Sequence, residues 1–189
     1  RLEWFTYKHS ASIVALSPGM KEGVVRTGYP SNKVAVIPNS SDIEMFRVDK
    51  SLGDAFRAER EWLDDKPLLI YTGTFGKVNG VDYAIELAYE LMAIDSDVRI
   101  LLVGSGSEFN LVKEQALLKG LLNKNLFIEK SVPKKMIPTL LSSASLTCSL
   151  VIDKPEFRAN SANKFFDSLA AGRPIMINHG GWMHDMIDA

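Results

Sequence analysis

Three turns in this chain combine residue types that can hold an anion. In Gly73-Thr-Phe-Gly-Lys-Val-Asn-Gly80, the three glycines let backbone come close to a ligand at positive φ, and the helix expected behind them offers N–H groups to a phosphate. Lys77 adds a charge, and Thr74, Gly76 and Asn79 complete the polar rim. Val78 follows the lysine where a P-loop needs Ser or Thr for magnesium, so this is not a Walker A loop. A tight strand-to-helix turn with no ligand is the other reading of the same residues.

The second turn, Gly104-Ser-Gly-Ser-Glu-Phe109, opens like a dinucleotide fingerprint, but Phe109 stands where the third small residue belongs. No acidic ribose partner follows at the expected distance, which argues against a nicotinamide site. A turn that lets phosphate or ribose approach Gly104 is left. The third stretch runs from Ala159 to Pro174 and contains Asn160, Ser161, Asn163, Lys164 and Asp167. Ser161 reads as an N-cap, with a helix over Ser161–Ala171 and Lys164 in its first turn. A cation is disfavoured there by the macrodipole, and a bound anion would reverse that sign. An i,i+3 Lys164–Asp167 pair on a solvated helix is the alternative. Gly172 then ends the helix and Pro174 opens a strand.

Short apolar runs alternate with segments of helical periodicity along the chain. Strands are expected over 12–16, 34–37, 67–72, 98–103, 126–128, 146–150 and 174–177. Helices are expected over 18–27, 52–62, 81–94, 108–119, 134–141 and 161–171, with another starting at Trp182. The alternation predicts an α/β fold, a Rossmann-like parallel sheet with helices on both faces. In such sheets ligands bind beyond the carboxyl ends of the strands, where the three turns fall. The polar stretch from Asn39 to Asp49 is the candidate boundary. Residues 1–40 are read as the tail of a preceding domain, and 41–189 as the domain proper, truncated at its C-terminus. Both ends read as cut.

A formal net charge of −1 excludes a general nucleic-acid binder, and no apolar run is long enough to span a bilayer. Cys148 is the only cysteine, so there is no internal disulfide and no cysteine-rich metal site; within its apolar run it reads as packing.

The ordered set of motifs resembles the family-4 glycosyltransferases, retaining enzymes of the two-lobed GT-B fold, over nearly the whole chain. Ala15-Leu-Ser-Pro-Gly-Met-Lys-Glu-Gly23 is similar to the end of that family's acceptor domain, and Val34-Ala-Val-Ile-Pro-Asn-Ser-Ser-Asp42 to its domain junction. Residues 101–108 and 132–138 match later landmarks. Asn160 through Ile175 is the most specific match and looks like the branch that builds bacterial surface polysaccharides, including colanic-acid and O-antigen-type transferases. The resemblance implies the donor-binding lobe of an enzyme that takes a nucleotide-diphosphate sugar, such as a UDP- or GDP-sugar. It implies no further cofactor, no metal and no nucleic-acid partner.

By that resemblance the 73–80 turn (Gly73, Thr74, Gly76, Lys77, Asn79, Gly80) and the Ser161–Lys164 helix start hold the diphosphate. Asp167 takes the place of a glutamate that accepts ribose hydroxyls, and backbone at Ser131 and Val132 meets the nucleobase. The acceptor is a glycan or a lipid-linked glycan, bound with the help of a missing acceptor domain of the same enzyme, at the inner face of the cytoplasmic membrane. Departures from the pattern are local. Many members carry Arg and Lys where this chain has Thr74 and Asn79, and Ala159 stands where the first of two glutamates belongs. Asn160, Ser161 and backbone near Ala162 are the replacement candidates.

No catalytic residue is assigned, since the family's histidine belongs to the missing domain, and the chain by itself is expected to be inactive. His179, in the turn Asn178-His-Gly-Gly-Trp182, reads as a capping or ligand-touching residue. Two other classes stay open: a sugar-nucleotide-binding module without turnover, and a GT-B-shaped epimerase, although no acid–base pair suited to epimerisation is visible.

Overall fold

The computed structural model describes residues 2–188. The reading of both ends as cut falls on Arg1 and Ala189, which lie outside the described residues. The chain opens with α1 (Leu2–Lys8), β1 (Ile13–Ala15), α2 (Pro18–Arg26) and β2 (Val34–Val36), then continues with α3 (Ile43–Phe46), α4 (Lys50–Ala58), β3 (Leu68–Thr74) and α5 (Asp82–Ile94). β4 (Arg99–Ser105), α6 (Phe109–Leu118), β5 (Leu126–Lys130), α7 (Ile137–Ser143) and β6 (Leu146–Ser149) follow. α8 (Asn163–Ala170), β7 (Ile175–Ile177) and α9 (Trp182–Ile187) complete it. The chain divides into two compact units: one holds residues up to Ser40, Asp153–Asn163 and the chain from His179, the other Ser41–Ile152 and Lys164–Asn178.

The first unit is built on a β1-α2-β2 crossover whose strands pair in parallel, Ile13 opposite Val34. Ser17 starts α2 by accepting the Met20 N–H at 3.1 Å while its hydroxyl donates to the Ala159 carbonyl at 2.6 Å, and Pro18 occupies the first turn, where no N–H is needed. Gly19 packs against that carbonyl's residue, since a Cβ there would stand 2.9 Å from the Ala159 Cβ. Ala15, Val24, Tyr29 and Val34 form its core.

The second unit is a five-stranded sheet in the order β5-β4-β3-β6-β7, parallel throughout. Strand alternation divides its side chains between two cores. Leu69, Tyr71, Ile100 and Leu102 pack with Ala84, Ile85 and Ala88 of α5 and Val112 and Ala116 of α6. Leu68, Ile70, Leu101 and Val103 pack with Phe56 of α4 and Leu140 and Leu141 of α7. Both faces are covered, which is why the strands read as continuous apolar runs. From β3 the chain winds outward through β4 and β5, then returns to β6 on the other side of β3. The order therefore reverses between β3 and β6, the switch point at which open α/β sheets bind ligands.

Several local expectations are corrected. The polar stretch after Asn39 contains α3, started by Asp42, whose carboxylate accepts the Met45 N–H at 3.1 Å. The helix expected over 52–62 runs from Lys50 to Ala58 because Asp49 caps it, accepting the Ser51 N–H at 2.8 Å. The chain beyond it turns around the Arg57 guanidinium, which donates to the Asp64 and Lys66 carbonyls at 2.9 and 2.5 Å. The helix expected over 134–141 is a 3-10 turn, Lys134–Met136, followed by α7 with Pro138 in its first turn. α1 and the 3-10 turn Pro155–Ala159 were not visible as patterns. Among the described residues no helix is long and apolar enough to cross a membrane, and no group of three His, Cys, Asp or Glu side chains is placed to hold a metal ion.

Candidate functional site: a half-buried lysine at the switch point

At the carboxyl end of β3, strand alternation puts Tyr71 and Gly73 on the same face. Gly73 has φ +154°, and a Cβ there would lie 3.1 Å from the Lys164 Nζ, 3.2 Å from its Cε and 3.2 Å from the Tyr71 Oη. The missing side chain is thus the space in which the lysine head and the tyrosine hydroxyl meet. The Lys164 Nζ donates to the Tyr71 Oη at 3.1 Å and sits 4.4 Å from the centre of the tyrosine ring. The Tyr71 hydroxyl in turn donates to the Thr74 carbonyl at 2.8 Å. Lys164 comes from the first turn of α8, whose Ser168 hydroxyl donates to the Lys164 carbonyl at 2.8 Å and accepts a hydrogen bond from Thr147 of β6, also at 2.8 Å. α8 is fastened in this way to the strand across the switch point from β3.

The electrostatics of this cluster are set by burial. Burial lowers Lys164 to about 8 from an ordinary value of 10.5, with neighbouring Cys148 acting in the opposite sense. Cys148 is itself pushed up to about 12 by burial, opposed by Lys164. Burial, with a smaller contribution from Cys148, holds the Tyr71 phenol well above its usual range, so it remains a donor. Among the described residues no carboxylate lies within ion-pair distance of Lys164. The solvated Lys164–Asp167 pair offered by the sequence does not form. A desolvated cation without a counter-ion is costly, and an anion placed beside it removes that cost.

The other predicted residues divide by location. Gly76 precedes the 3-10 turn Lys77–Asn79, in which the Asn79 N–H donates to the Gly76 carbonyl at 2.9 Å; Thr74 and Lys77 are exposed and Asn79 half-buried. Gly80 adopts φ +55°, and a Cβ there would meet Tyr83 at 2.9 Å and the Val151 backbone at 3.0 Å. The start of α5 offers less than expected, since the Tyr83 and Ala84 N–H groups already donate to the Gly80 and Val81 carbonyls at 3.2 and 3.1 Å. Gly104 is required by packing, since a Cβ there would lie 1.8 Å from the Gly73 carbonyl and 2.8 Å from the Phe75 ring. The turn after it grips Phe75, whose N–H donates to the Ser105 carbonyl and whose carbonyl accepts the Glu108 N–H, both at 2.9 Å. Ser131 and Val132 follow β5, exposed and half-buried respectively.

Asp167 is half-buried and accepts the Ser41 hydroxyl at 2.6 Å. Asn160 and Ser161 belong to the first unit, where the Asn160 carbonyl accepts the Trp182 indole N–H at 2.7 Å. The Ser161 hydroxyl accepts the Asn39 N–H at 3.3 Å and its carbonyl accepts the Asn39 side-chain amide. Ser161 is therefore not the N-cap: α8 begins at the exposed Asn163, and the serine two residues earlier is committed to Asn39. A cleft of about 740 Å³ in the first unit is lined by Tyr7, Gly19, Glu22, Arg26, Glu156 and Trp182 among others; the lysine cluster belongs to the second unit.

Sequence reasoning missed Tyr71 and Ser41. A tyrosine two residues before a glycine at the end of a buried strand was the available signal for Tyr71. Ser41 carried none, because its partner lies 126 residues away.

Residues 54–181 match the family described as glycosyl transferases group 1. WcaI of Escherichia coli strain K12, named as a putative glycosyl transferase of colanic acid biosynthesis, is 28% identical over 144 residues, covering 76% of this chain and 34% of that protein. The alpha-D-kanosaminyltransferase of Streptomyces kanamyceticus is 24% identical over 140 residues, 74% of this chain and 36% of that protein. Among solved structures, Anabaena HepE in complex with UDP superposes with a TM-score of 0.79 at 17% identity, over 97% of this chain and 48% of that one. WaaG, a glycosyltransferase involved in lipopolysaccharide biosynthesis, superposes with a TM-score of 0.74 at 15% identity, over 93% of this chain and 46% of that one. The chain spans about a third of the length of the curated relatives it matches and about half that of these solved chains. With the family match extending over more than half of its residues, the chain belongs to the group 1 glycosyl transferases.

Proposed function

We propose that the second unit binds a nucleotide-diphosphate sugar, with the diphosphate between Lys164 and the turn that follows Gly73. The observation that carries this reading is the Lys164 ammonium, largely withdrawn from water at the switch point and paired with no carboxylate among the described residues. The turn at Thr74, Gly76, Lys77, Asn79 and Gly80 supplies backbone and a second cation, and Asp167 accepts ribose hydroxyls with Ser41 holding its other side. Backbone at Ser131 and Val132 meets the base. UDP in HepE, whose fold is similar, supports the choice of nucleotide.

In the whole enzyme the reaction is a retaining sugar transfer of the family-4 type. The bond from the anomeric carbon to the β-phosphate oxygen breaks, and its electron pair leaves with the phosphate. The acceptor hydroxyl oxygen bonds the anomeric carbon from the same face, and its proton passes to the departing phosphate oxygen. Lys164 assists because its positive charge is fixed where negative charge develops on the departing phosphate. The acceptor is a glycan or lipid-linked glycan of bacterial surface polysaccharide synthesis, presented at the inner face of the cytoplasmic membrane with the help of an acceptor-binding domain. The names of WcaI and WaaG support that class.

Calorimetric titration of the chain with UDP, GDP and NAD is the direct test. Binding of a nucleoside diphosphate that competes with its sugar ester is the expected result, and binding of NAD alone would sink the proposal.

A further inference from the structure

We infer that Tyr71 is a positioning residue of the diphosphate site: its hydroxyl holds both the Lys164 ammonium and the Thr74 carbonyl, and so sets the cation against the turn that follows Gly73. The inference rests on the proposed diphosphate reading and deepens it by assigning a residue that acts through Lys164.

The donor directions are unambiguous. The Thr74 carbonyl can only accept, so the phenol spends its one proton there at 2.8 Å. The ammonium can only donate, so it takes a phenol lone pair at 3.1 Å. Tyr71 is fully buried, packed edge-on to Phe75 with ring centres 6.1 Å apart, and cannot swing away without opening the core. Its ring also lies 4.4 Å from the ammonium, so Lys164 is held by the ring and by the oxygen at once. Gly73 makes the arrangement possible, since a Cβ there would approach the lysine Nζ, its Cε and the tyrosine Oη within 3.2 Å. A lysine head sits on a flexible four-carbon stem and has no preferred fork geometry. Fixing it before the ligand arrives removes an ordering cost from binding, an effect of about 3- to 10-fold in affinity.

Tyr71→Phe isolates the hydroxyl, because the ring, its packing and its contact with the ammonium stay. Binding of UDP and of uridine is measured by calorimetry for the wild-type chain, Tyr71→Phe, Lys164→Ala and the double variant. The expected result is a loss of about 3- to 10-fold for UDP in Tyr71→Phe, none for uridine, and no further loss when Lys164 is already alanine. Equal losses for both ligands, or an undiminished loss in the Lys164→Ala background, would overturn the inference while leaving the diphosphate reading in place. Failure of wild-type chain to bind UDP, GDP or pyrophosphate overturns both. A second measurement needs no ligand: the Lys164 side-chain carbon resonance is titrated in wild type and Tyr71→Phe. Loss of an acceptor for the charged form lowers the midpoint if the inference holds; an unmoved midpoint counts against it even if the variant is less stable.

Discussion

Lys164 and Tyr71, 93 residues apart in sequence, are joined by a 3.1 Å hydrogen bond in which the ammonium is the donor. The bond stands at the point where the strand order of the second unit reverses, and burial holds the lysine near 8. The lysine therefore carries two opposite expectations, one for stability and one for binding.

For stability, the folded chain holds this proton less tightly than the unfolded chain does. Between about pH 8 and the unfolded value of 10.5 the unfolded state binds more protons, so stability rises with pH across that window. Below about pH 8 the full penalty of a buried charge is present. Lys164→Met is expected to stabilise the ligand-free chain by about 2 to 3 kcal/mol near pH 7, with the gain shrinking towards pH 10. Urea denaturation at the two pH values checks this, and a gain that does not change with pH would count against it.

For binding the same substitution is expected to be harmful. Lys164→Met is expected to lower UDP affinity about 10- to 100-fold, the worth of a charge-assisted hydrogen bond, and to leave uridine untouched. In the wild-type chain, UDP affinity is expected to hold level up to about pH 8 and to fall beyond it by up to about tenfold per pH unit, as binding would have to recruit a proton to the lysine. Calorimetry in buffers of different ionisation enthalpy reads the proton uptake directly.

The two glycines at the strand ends separate packing from ligand contact. Gly104→Ala puts a Cβ where the Gly73 carbonyl already is, at 1.8 Å, and is expected to cost more than about 3 kcal/mol with or without nucleotide. Gly73→Ala meets only the ends of Lys164 and Tyr71, at φ +154°. It is expected to cost about 1 to 2 kcal/mol of stability and to weaken UDP more than uridine. Thermal melts with and without UDP distinguish the two.

Asp167→Ala is expected to weaken UDP by about tenfold and to have little effect on 2′,3′-dideoxy-UDP, which has no hydroxyls for the carboxylate to accept. Comparable losses for both nucleotides would move Asp167 out of the ribose role and leave it as the partner of Ser41.

Cys148 is buried and its thiol is pushed up to about 12, so thiolate is scarce at neutral pH. Ellman's reagent is expected to leave the folded chain unmodified near neutral pH and to titrate one thiol in guanidinium. Rapid reaction of the folded chain would contradict the packing assigned to this residue.

Much of the second unit's architecture is local in origin and was readable. Continuous apolar strands such as Leu68–Thr74 and Arg99–Ser105, and the periodic helix Asp82–Ile94, announce a sheet buried on both faces. Short elements were not readable. α3 depends on the single cap Asp42, and α1 and the turn Pro155–Ala159 have too few residues for a period to show. Ser161 was misassigned because a serine ahead of a helix looks like a cap until a distant partner, here Asn39, claims its hydroxyl.

The sequence by itself determined the fold class, the glycine-bearing turns beyond the carboxyl ends of the strands, and the place of Lys164 in the first turn of its helix. Period, glycine placement and strand ends are properties of neighbouring residues. Only the tertiary structure decided that Lys164 turns to Tyr71 instead of Asp167, that Ser41 takes the carboxylate, and that Gly104 serves a backbone crossing. Each of those outcomes depends on which long-range neighbour first offers a hydrogen-bond partner or occupies a volume, and spacing along a chain carries no record of that competition.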